Sequence, residues 1–317
     1  MQKSEELKTQ YIPFRNEYFI PFGDYQKVLT IVKSMAFFPI WITGEAGCGK
    51  TTSVEQACAN TAREYIRINC SAETDESDLI GSYELIDGQT VFKKGPVLVA
   101  MERGAVLLLD EVEACRPETL FCMQSVLEGG RVFVKPLNQY VSPAHGFTVF
   151  ATGNTRGRGS ESGRYSGLKI MNTAFLDRFN GMIHQDYPPR EIEEKILKAH
   201  YVTSVWKNLS SVDEVSNADK ELCNKYIDAL LKFSNDTRET FKKGGSEETM
   251  STRSLVHVIK TFGVFKDPVE SVKFVFERYE PSVSEAFLSL FMSYWDTESV
   301  KQAEPENDDE FIQITPD

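Results

Sequence analysis

At 317 residues, with 41% apolar residues, 26% charged residues and a formal net charge of −12, the chain has ordinary globular composition and length for about two domains. The acidic balance, with a pI near 5.0, argues against a protein that coats nucleic acid with a basic face, although a local basic pore is compatible with that total. No apolar run reaches transmembrane length, no leader pattern opens the chain, and the cysteines at 48, 58, 70, 115, 122 and 223 form no C-x-x-C pair or zinc spacing, so a reduced, cytoplasmic protein without membrane attachment is expected.

Residues 1–17 are polar and mixed in charge and read as an extended arm. An aromatic turn, Tyr18 to Gly23, precedes a helical pattern from Asp24 to Met35. The apolar run Phe38 to Thr43 reads as a buried parallel strand. It leads into Gly44-Glu45-Ala46-Gly47-Cys48-Gly49-Lys50-Thr51, a full match to G-x-x-x-x-G-K-[ST]. Thr51 to Arg63 contains no Gly or Pro and reads as the following helix, with Thr52 in its first turn. Strand, glycine-rich turn and helix are the context this motif requires. Its backbone N–H groups and the helix N-terminus would cradle phosphate, Lys50 would reach the β- and γ-phosphates, and the Thr51 hydroxyl would ligate Mg²⁺. A bound nucleoside triphosphate, ATP with Mg²⁺, is expected. Cys48 is either a reactive thiol or, as favoured here, a tolerated small side chain, and the isolated histidines read as structural.

Tyr65 to Asn69 alternates and is β-branched, which predicts a second strand. An acidic segment, Glu73 to Asp78, follows. Asp87-Gly88 between Tyr83 to Ile86 and Gln89 to Phe92 is a hairpin signal. Gly95-Pro96 opens a helix that stops at Gly104. Ala105 to Leu109 is fully apolar and ends in Asp110-Glu111, a central strand with two carboxylates at its C-terminal edge, where ligands of open α/β sheets sit. Asp110 would hold the magnesium shell and Glu111 would polarise the attacking water. Pro117 to Leu127 reads as a helix, and Gly129-Gly130 releases a second hairpin, Arg131 to Val134 and Gln139 to Ser142. The strand Phe147 to Thr152 ends at Gly153-Asn154-Thr155, where Asn154 either senses the γ-phosphate or simply forms a turn. Residues 156–170, rich in Gly, Ser and Arg, read as a mobile loop.

Arg178, in Ala174-Phe175-Leu176-Asp177-Arg178-Phe179, either projects toward a neighbouring subunit's nucleotide or forms a surface salt bridge. Pro188-Pro189 marks a domain boundary. Helical patterns follow at Glu191 to Trp206, Asp219 to Phe233, Thr252 to Phe262, Pro268 to Glu277 and Ser284 to Trp295, with Arg253 in the first turn of the third. Residues 298–317 are acidic and expected to be disordered. The predicted organisation is an arm (1–17), an α/β nucleotide-binding domain (18–188), an α-helical lid (189–297) and a tail.

This order of motifs resembles the AAA+ ATPases, with Lys50 and Thr51 in Walker A, Asp110 and Glu111 in Walker B, Asn154 as sensor 1, Arg178 as arginine finger and Arg253 as sensor 2. The two hairpins resemble the helix-2-insert clade that includes MoxR-type ATPases, midasin, the McrB motor and MCM helicases. The stretches around Leu109-Asp110-Glu111, Thr152-Gly153-Asn154-Thr155 and Leu176-Asp177-Arg178-Phe179 are similar to the CobS-like ATPases of aerobic cobaltochelatase and of tailed phages. The resemblance covers roughly residues 18–200. It implies a P-loop AAA+ core, a parallel sheet flanked by helices with two β-hairpin inserts and a helical lid, assembled as a homo-oligomeric ring, commonly a hexamer. It further implies a protein client, often one with a von Willebrand factor A (VWA) domain. In such motors the segment at Phe19 and Ile20 often packs on the adenine, and here it is equally readable as a staple for the arm. Arg116, Arg156, Arg158 and Arg164 are rivals to Arg178. Two alternatives stay open: a nucleic-acid motor using Lys93, Lys94, Arg131 and Lys135 at the hairpins, and a nucleotide-gated assembly scaffold.

Overall fold

The computed structural model describes residues 10–159, 168–206 and 216–295. The chain divides into two compact units between Ile192 and Glu193, a few residues after Pro188-Pro189.

In the first unit, β1 (Ile40–Thr43) and α1 (Tyr25–Ser34) are followed by α2 (Lys50–Asn60), β2 (Tyr65–Asn69) and a short α3 (Glu76–Ile80). Then come the hairpin β3 (Gly81–Ile86) and β4 (Gln89–Lys94), α4 (Pro96–Arg103), β5 (Val106–Asp110), a short α5 (Gln124–Leu127), the hairpin β6 (Val132–Val134) and β7 (Gln139–Val141), β8 (Thr148–Gly153), α6 (Thr173–Leu176) and β9 (Gly181–His184). Five strands form one sheet in the order β2-β5-β8-β1-β9, every pair parallel. Parallel strands place all their carboxyl ends on one edge, which brings Thr43, Asp110 and Gly153 together.

The apolar runs in β1, β5 and β8 are buried throughout, and their two-residue period sends alternate side chains into two cores. Val106, Leu108, Phe150, Ile40 and Ile42 pack with Tyr25, Val28, Val32, Val54 and Ala57 of α1 and α2. Leu107, Leu109, Val149, Ala151 and Trp41 pack on the opposite face with Val97, Leu98 and Met101 of α4. Each large aliphatic side chain among them contributes about 1.5–3 kcal/mol of burial, so the register that aligns the carboxyl edge is fixed by the core beneath it.

The first hairpin turns on Asp87 and Gly88, both at positive φ, the backbone of the tight turn whose twist matches paired strands. It lies between α3 and α4, in the predicted position. Two expectations in this unit need correction, and one strand is added. Pro117 to Leu127 is not a continuous α-helix: Thr119–Met123 is 3₁₀ and only Gln124–Leu127 is α, as suits Leu120 and Met123, buried three residues apart. The helix after the glycine-rich loop stops at Asn60, three residues early, where Arg63 turns its guanidinium onto the carbonyls of Val32, Gly104 and Gly146. The strand β9 was not predicted, since four residues opening on Gly181 carry too little pattern.

The second unit is helical: α7 (Arg190–Ser204, which spans the division), α8 (Asn217–Lys242), α9 (Thr252–Phe265), α10 (Pro268–Phe276) and α11 (Pro281–Tyr294). Tyr226, Phe233, Phe262, Phe276 and Phe291 form its aromatic core. Here α8 runs nine residues beyond the predicted Phe233. The polar run Ser234 to Thr237 does not break it, because the Ser234 and Thr237 hydroxyls bond to carbonyls one turn back, Leu231 at 3.1 Å and Ser234 at 2.9 Å. Among the described residues no helix is long and apolar enough to cross a membrane. The predicted tail, residues 1–9 of the arm and Arg164 lie outside the described residues.

Candidate nucleotide site

The glycine-rich loop leaves β1 and enters α2 through Gly47 and Gly49, both at positive φ. Gly49 is the N-cap of α2 and offers no side-chain cap, so the first amides of an eleven-residue helix face the loop without an intrahelical acceptor. Lys50 is 8% exposed. Its ammonium donates to the carbonyls of Gly44 (2.6 Å) and Glu45 (2.9 Å) and to Asn154 Oδ1 (2.9 Å). Burial pushes its pKa below the ordinary lysine value, with Asp110, Glu45 and Glu111 among the charges that oppose the shift. Cys48 is buried and its thiol donates to the Gln185 carbonyl at 3.2 Å. Burial raises its pKa, which suits a packed side chain and not a reactive thiolate. The Ala46 carbonyl accepts from the Tyr187 hydroxyl at 3.1 Å, and Thr52 is exposed on the first turn of α2.

Asp110 sits at the end of β5, 5% exposed. One of its oxygens accepts from the Thr51 hydroxyl at 2.8 Å and from the Thr152 hydroxyl; the other pairs with Arg67 of β2 at 2.5 Å. A hydroxyl and a carboxylate side by side are the hard oxygen donors that Mg²⁺ takes when phosphates and water complete its shell, so these residues fit the ion. Glu111 is exposed and adopts a left-handed backbone, φ 57° and ψ 41°. Its N–H donates to Thr152 Oγ1 at 3.0 Å. A non-glycine residue held in that region is uncommon and costs about 1–3 kcal/mol; here it turns the side chain away from the strand's core direction into solvent at the sheet edge.

The structure thus pairs Lys50 with Asn154 and Thr51 with Asp110 by hydrogen bonds at one sheet edge, with Glu111 next to Asp110. Arg178 is held elsewhere within the chain. Phe175 and Phe179 pack edge-on against Trp41, at 6.5 and 5.4 Å. Between them the Arg178 guanidinium donates to Glu128 at 2.9 Å and to the Ala174 carbonyl, so the salt-bridge alternative describes its place in a single chain. Arg253 is the second residue of α9, in the turn capped by Ser251, and is exposed. Phe19 packs against Tyr25, ring centroids 5.0 Å apart, and joins the core beneath α1, while Ile20 is half-buried beside it. Of the aromatics in the Tyr18 to Gly23 turn, Phe22 meets the phosphate loop, 3.6 Å from where a Gly49 Cβ would lie.

Besides Phe22, two residues of the site are not legible in the sequence. Arg67 is the cation beside Asp110; the only available signal was a charge on the outward face of β2 opposite the Asp110 strand. Glu113, fully buried, accepts four hydrogen bonds from the turn that carries Asn154. A glutamate two positions past Glu111 gives no local hint of that role.

A parallel sheet in this strand order, with the glycine-rich loop, Asp110-Glu111 and Asn154 at one edge, defines a P-loop nucleotide-binding protein of the AAA+ type. Residues 39–179 match the family of AAA domains of the dynein-related subfamily. The chain is 28% identical over 233 residues to the aerobic cobaltochelatase subunit CobS of Sinorhizobium sp., covering 72% of this chain and 66% of that protein. An uncharacterized protein of Staphylococcus saprophyticus is 30% identical over 242 residues, 74% of this chain and 80% of its own length. Midasin of Giardia intestinalis is 33% identical over 172 residues, 53% of this chain but 3% of midasin. The chain belongs to the AAA+ ATPases and is related to CobS. It spans just under two thirds of CobS and a small fraction of midasin.

Proposed function

We propose that the chain hydrolyses ATP with Mg²⁺ as a subunit of a homo-oligomeric ring, commonly a hexamer, and uses the turnover to remodel a protein partner, a VWA-domain protein being one candidate. The observation that carries the reading is the convergence of Lys50, Thr51, Asp110, Glu111 and Asn154 on one sheet edge. In this reading residues 18–188 bind nucleotide and residues 189–297 act as the lid that contributes Arg253.

The loop amides and Lys50 hold the phosphates, and Lys50 exchanges its carbonyl partners for phosphate oxygens. Thr51 and Asp110 would hold Mg²⁺, and the ion would supply charge neutralisation at the β- and γ-phosphates. Glu111 takes a proton from water as its oxygen bonds to the γ-phosphorus, and the bond to the β–γ bridging oxygen breaks to release ADP. Asn154 orients the water or the γ-phosphate. Arg178, freed from Glu128, supplies charge to the neighbouring subunit's transition state, a contribution of ~10³ to 10⁵ in rate.

The nucleic-acid reading has less support at the hairpins. Lys93 pairs with Glu84 at 3.0 Å and Lys94 with Glu102 at 2.5 Å, and Arg131 lies over the Tyr140 ring at 4.7 Å. The test is Glu111→Gln: ATP affinity unchanged within about twofold, phosphate release down by ~10² to 10⁴, and a ring that forms on adding Mg²⁺-ATP, seen by light scattering. Wild-type turnover in that variant would overturn the assignment, and a monomer in all nucleotide states would remove the trans role of Arg178.

A further inference from the structure

We propose that Glu113 is the positioning residue for Asn154, so that a buried carboxylate two residues past the assigned base sets the geometry of the γ-phosphate sensor. The proposal rests on the ATPase reading above.

Glu113 lies in the single 3₁₀ turn Val112–Ala114 that follows β5 and is 0% exposed. A charge placed there must be compensated, and among the described residues no cation pairs with it. The turn after β8 compensates it instead. One oxygen accepts the amides of Asn154 (2.7 Å) and Thr155 (2.9 Å); the other accepts the Thr155 hydroxyl and the amide of Gly157 (2.8 Å). Three backbone amides and a hydroxyl therefore converge on one carboxylate, an anion nest whose anion is part of the chain. Charge-assisted bonds of this kind are about twice as strong as neutral ones.

The geometry has a direct consequence for Asn154. Its amide is pinned to Glu113, the Thr155 carbonyl accepts from Thr43 Oγ1 at 2.7 Å, and its own side-chain oxygen then lies 2.9 Å from Lys50 Nζ. Gly153 permits the approach: a Cβ there would lie 2.7 Å from Glu113 Cδ and 2.9 Å from the Trp41 ring. The main chain of Glu113 reaches further. Its carbonyl accepts from Lys169 N at 2.9 Å, and the Gly157 carbonyl accepts from Met171 N at 2.8 Å. One residue thus fixes the sensor turn and, through its own carbonyl, the chain that leads into α6 and Arg178.

A role confined to folding would lower stability and leave nucleotide discrimination alone; positioning predicts the opposite pattern. The experiment uses the full chain and compares wild type, Glu113→Gln, Asn154→Ala and the double variant. Phosphate release and the ratio of ADP to ATP dissociation constants are measured with fluorescent nucleotide analogues. Gln keeps the shape but turns an N–H₂ toward N–H donors. Expected in Glu113→Gln are a kcat about 10- to 100-fold lower, ADP affinity within about threefold of wild type, and loss of the preference for ATP, with the double variant no worse than Asn154→Ala. Should Glu113→Gln fail to fold, Thr155→Val removes one donor and should lower kcat several-fold in the same pattern. Wild-type kcat and nucleotide ratio in the folded variant, or single losses that multiply in the double variant, would overturn the proposal. A wild-type protein that binds nucleotide without turnover removes the hydrolysis reading, while the ADP-to-ATP ratio still decides the role of Glu113.

Discussion

Glu113 in the α/β unit and Glu193 in the helical unit are equally hidden, 0% and 2% exposed, yet their charges are met by different groups. Glu113 faces amides of one turn. Glu193, on α7, faces a guanidinium: Arg238 of α8 donates to both its oxygens at 2.7 and 2.8 Å, and Thr252 of α9 adds its hydroxyl at 2.5 Å. Arg238 also donates to the Met250 carbonyl at 2.8 Å. A carboxylate solvated by a loop shapes that loop, whereas one paired across three helices joins elements whose positions the apolar core already favours. The first should govern function before stability, and the second stability alone.

That contrast can be broken most directly at Glu193. Glu193→Ala takes from the Arg238 guanidinium, 12% exposed, the carboxylate that pairs with it and should cost about 3–5 kcal/mol, read from chemical denaturation of the full chain; a loss under about 1 kcal/mol would erase the distinction. A smaller effect is expected for Thr252→Val, which removes one bond to a charged acceptor but keeps the ion pair. About 1.5–3 kcal/mol is anticipated, with the α9 helix content by circular dichroism retained.

The smallest effect concerns acid. Burial, aided by Lys260, lowers the pKa of His200 below its ordinary 6.5. The folded chain then binds fewer protons than the unfolded chain in that range, so this contribution to stability is whole above about 6.5 and is lost progressively as the pH falls through 6.5 toward the folded value. His200→Gln should flatten that part of the stability profile, and an unchanged slope would place the titration elsewhere.

Much of the nucleotide edge is readable without coordinates because its signals are local. The glycine spacing before Lys50, the apolar run ending in Asp110-Glu111 and the Asp87-Gly88 turn each lie within a few neighbouring residues, and backbone sterics translate them directly into structure. Phe22, Arg67 and Glu113 are different. Phe22 is one aromatic among several in its turn, and only the path of the chain decides that it, and not Phe19, meets Gly49. Arg67 reads as an outward strand charge until parallel pairing sets Asn69 beside Asp110.

The sequence by itself determined the class of site and the order of elements around it, since period-two burial and turn chemistry act over short range. Tertiary structure alone decided which charges the site holds in place. Glu113 finds its donors 41 to 44 residues away, and Arg178 finds Glu128 50 residues away. Such pairings follow from strand order and packing, because a buried charge takes whichever dipoles the fold delivers to it.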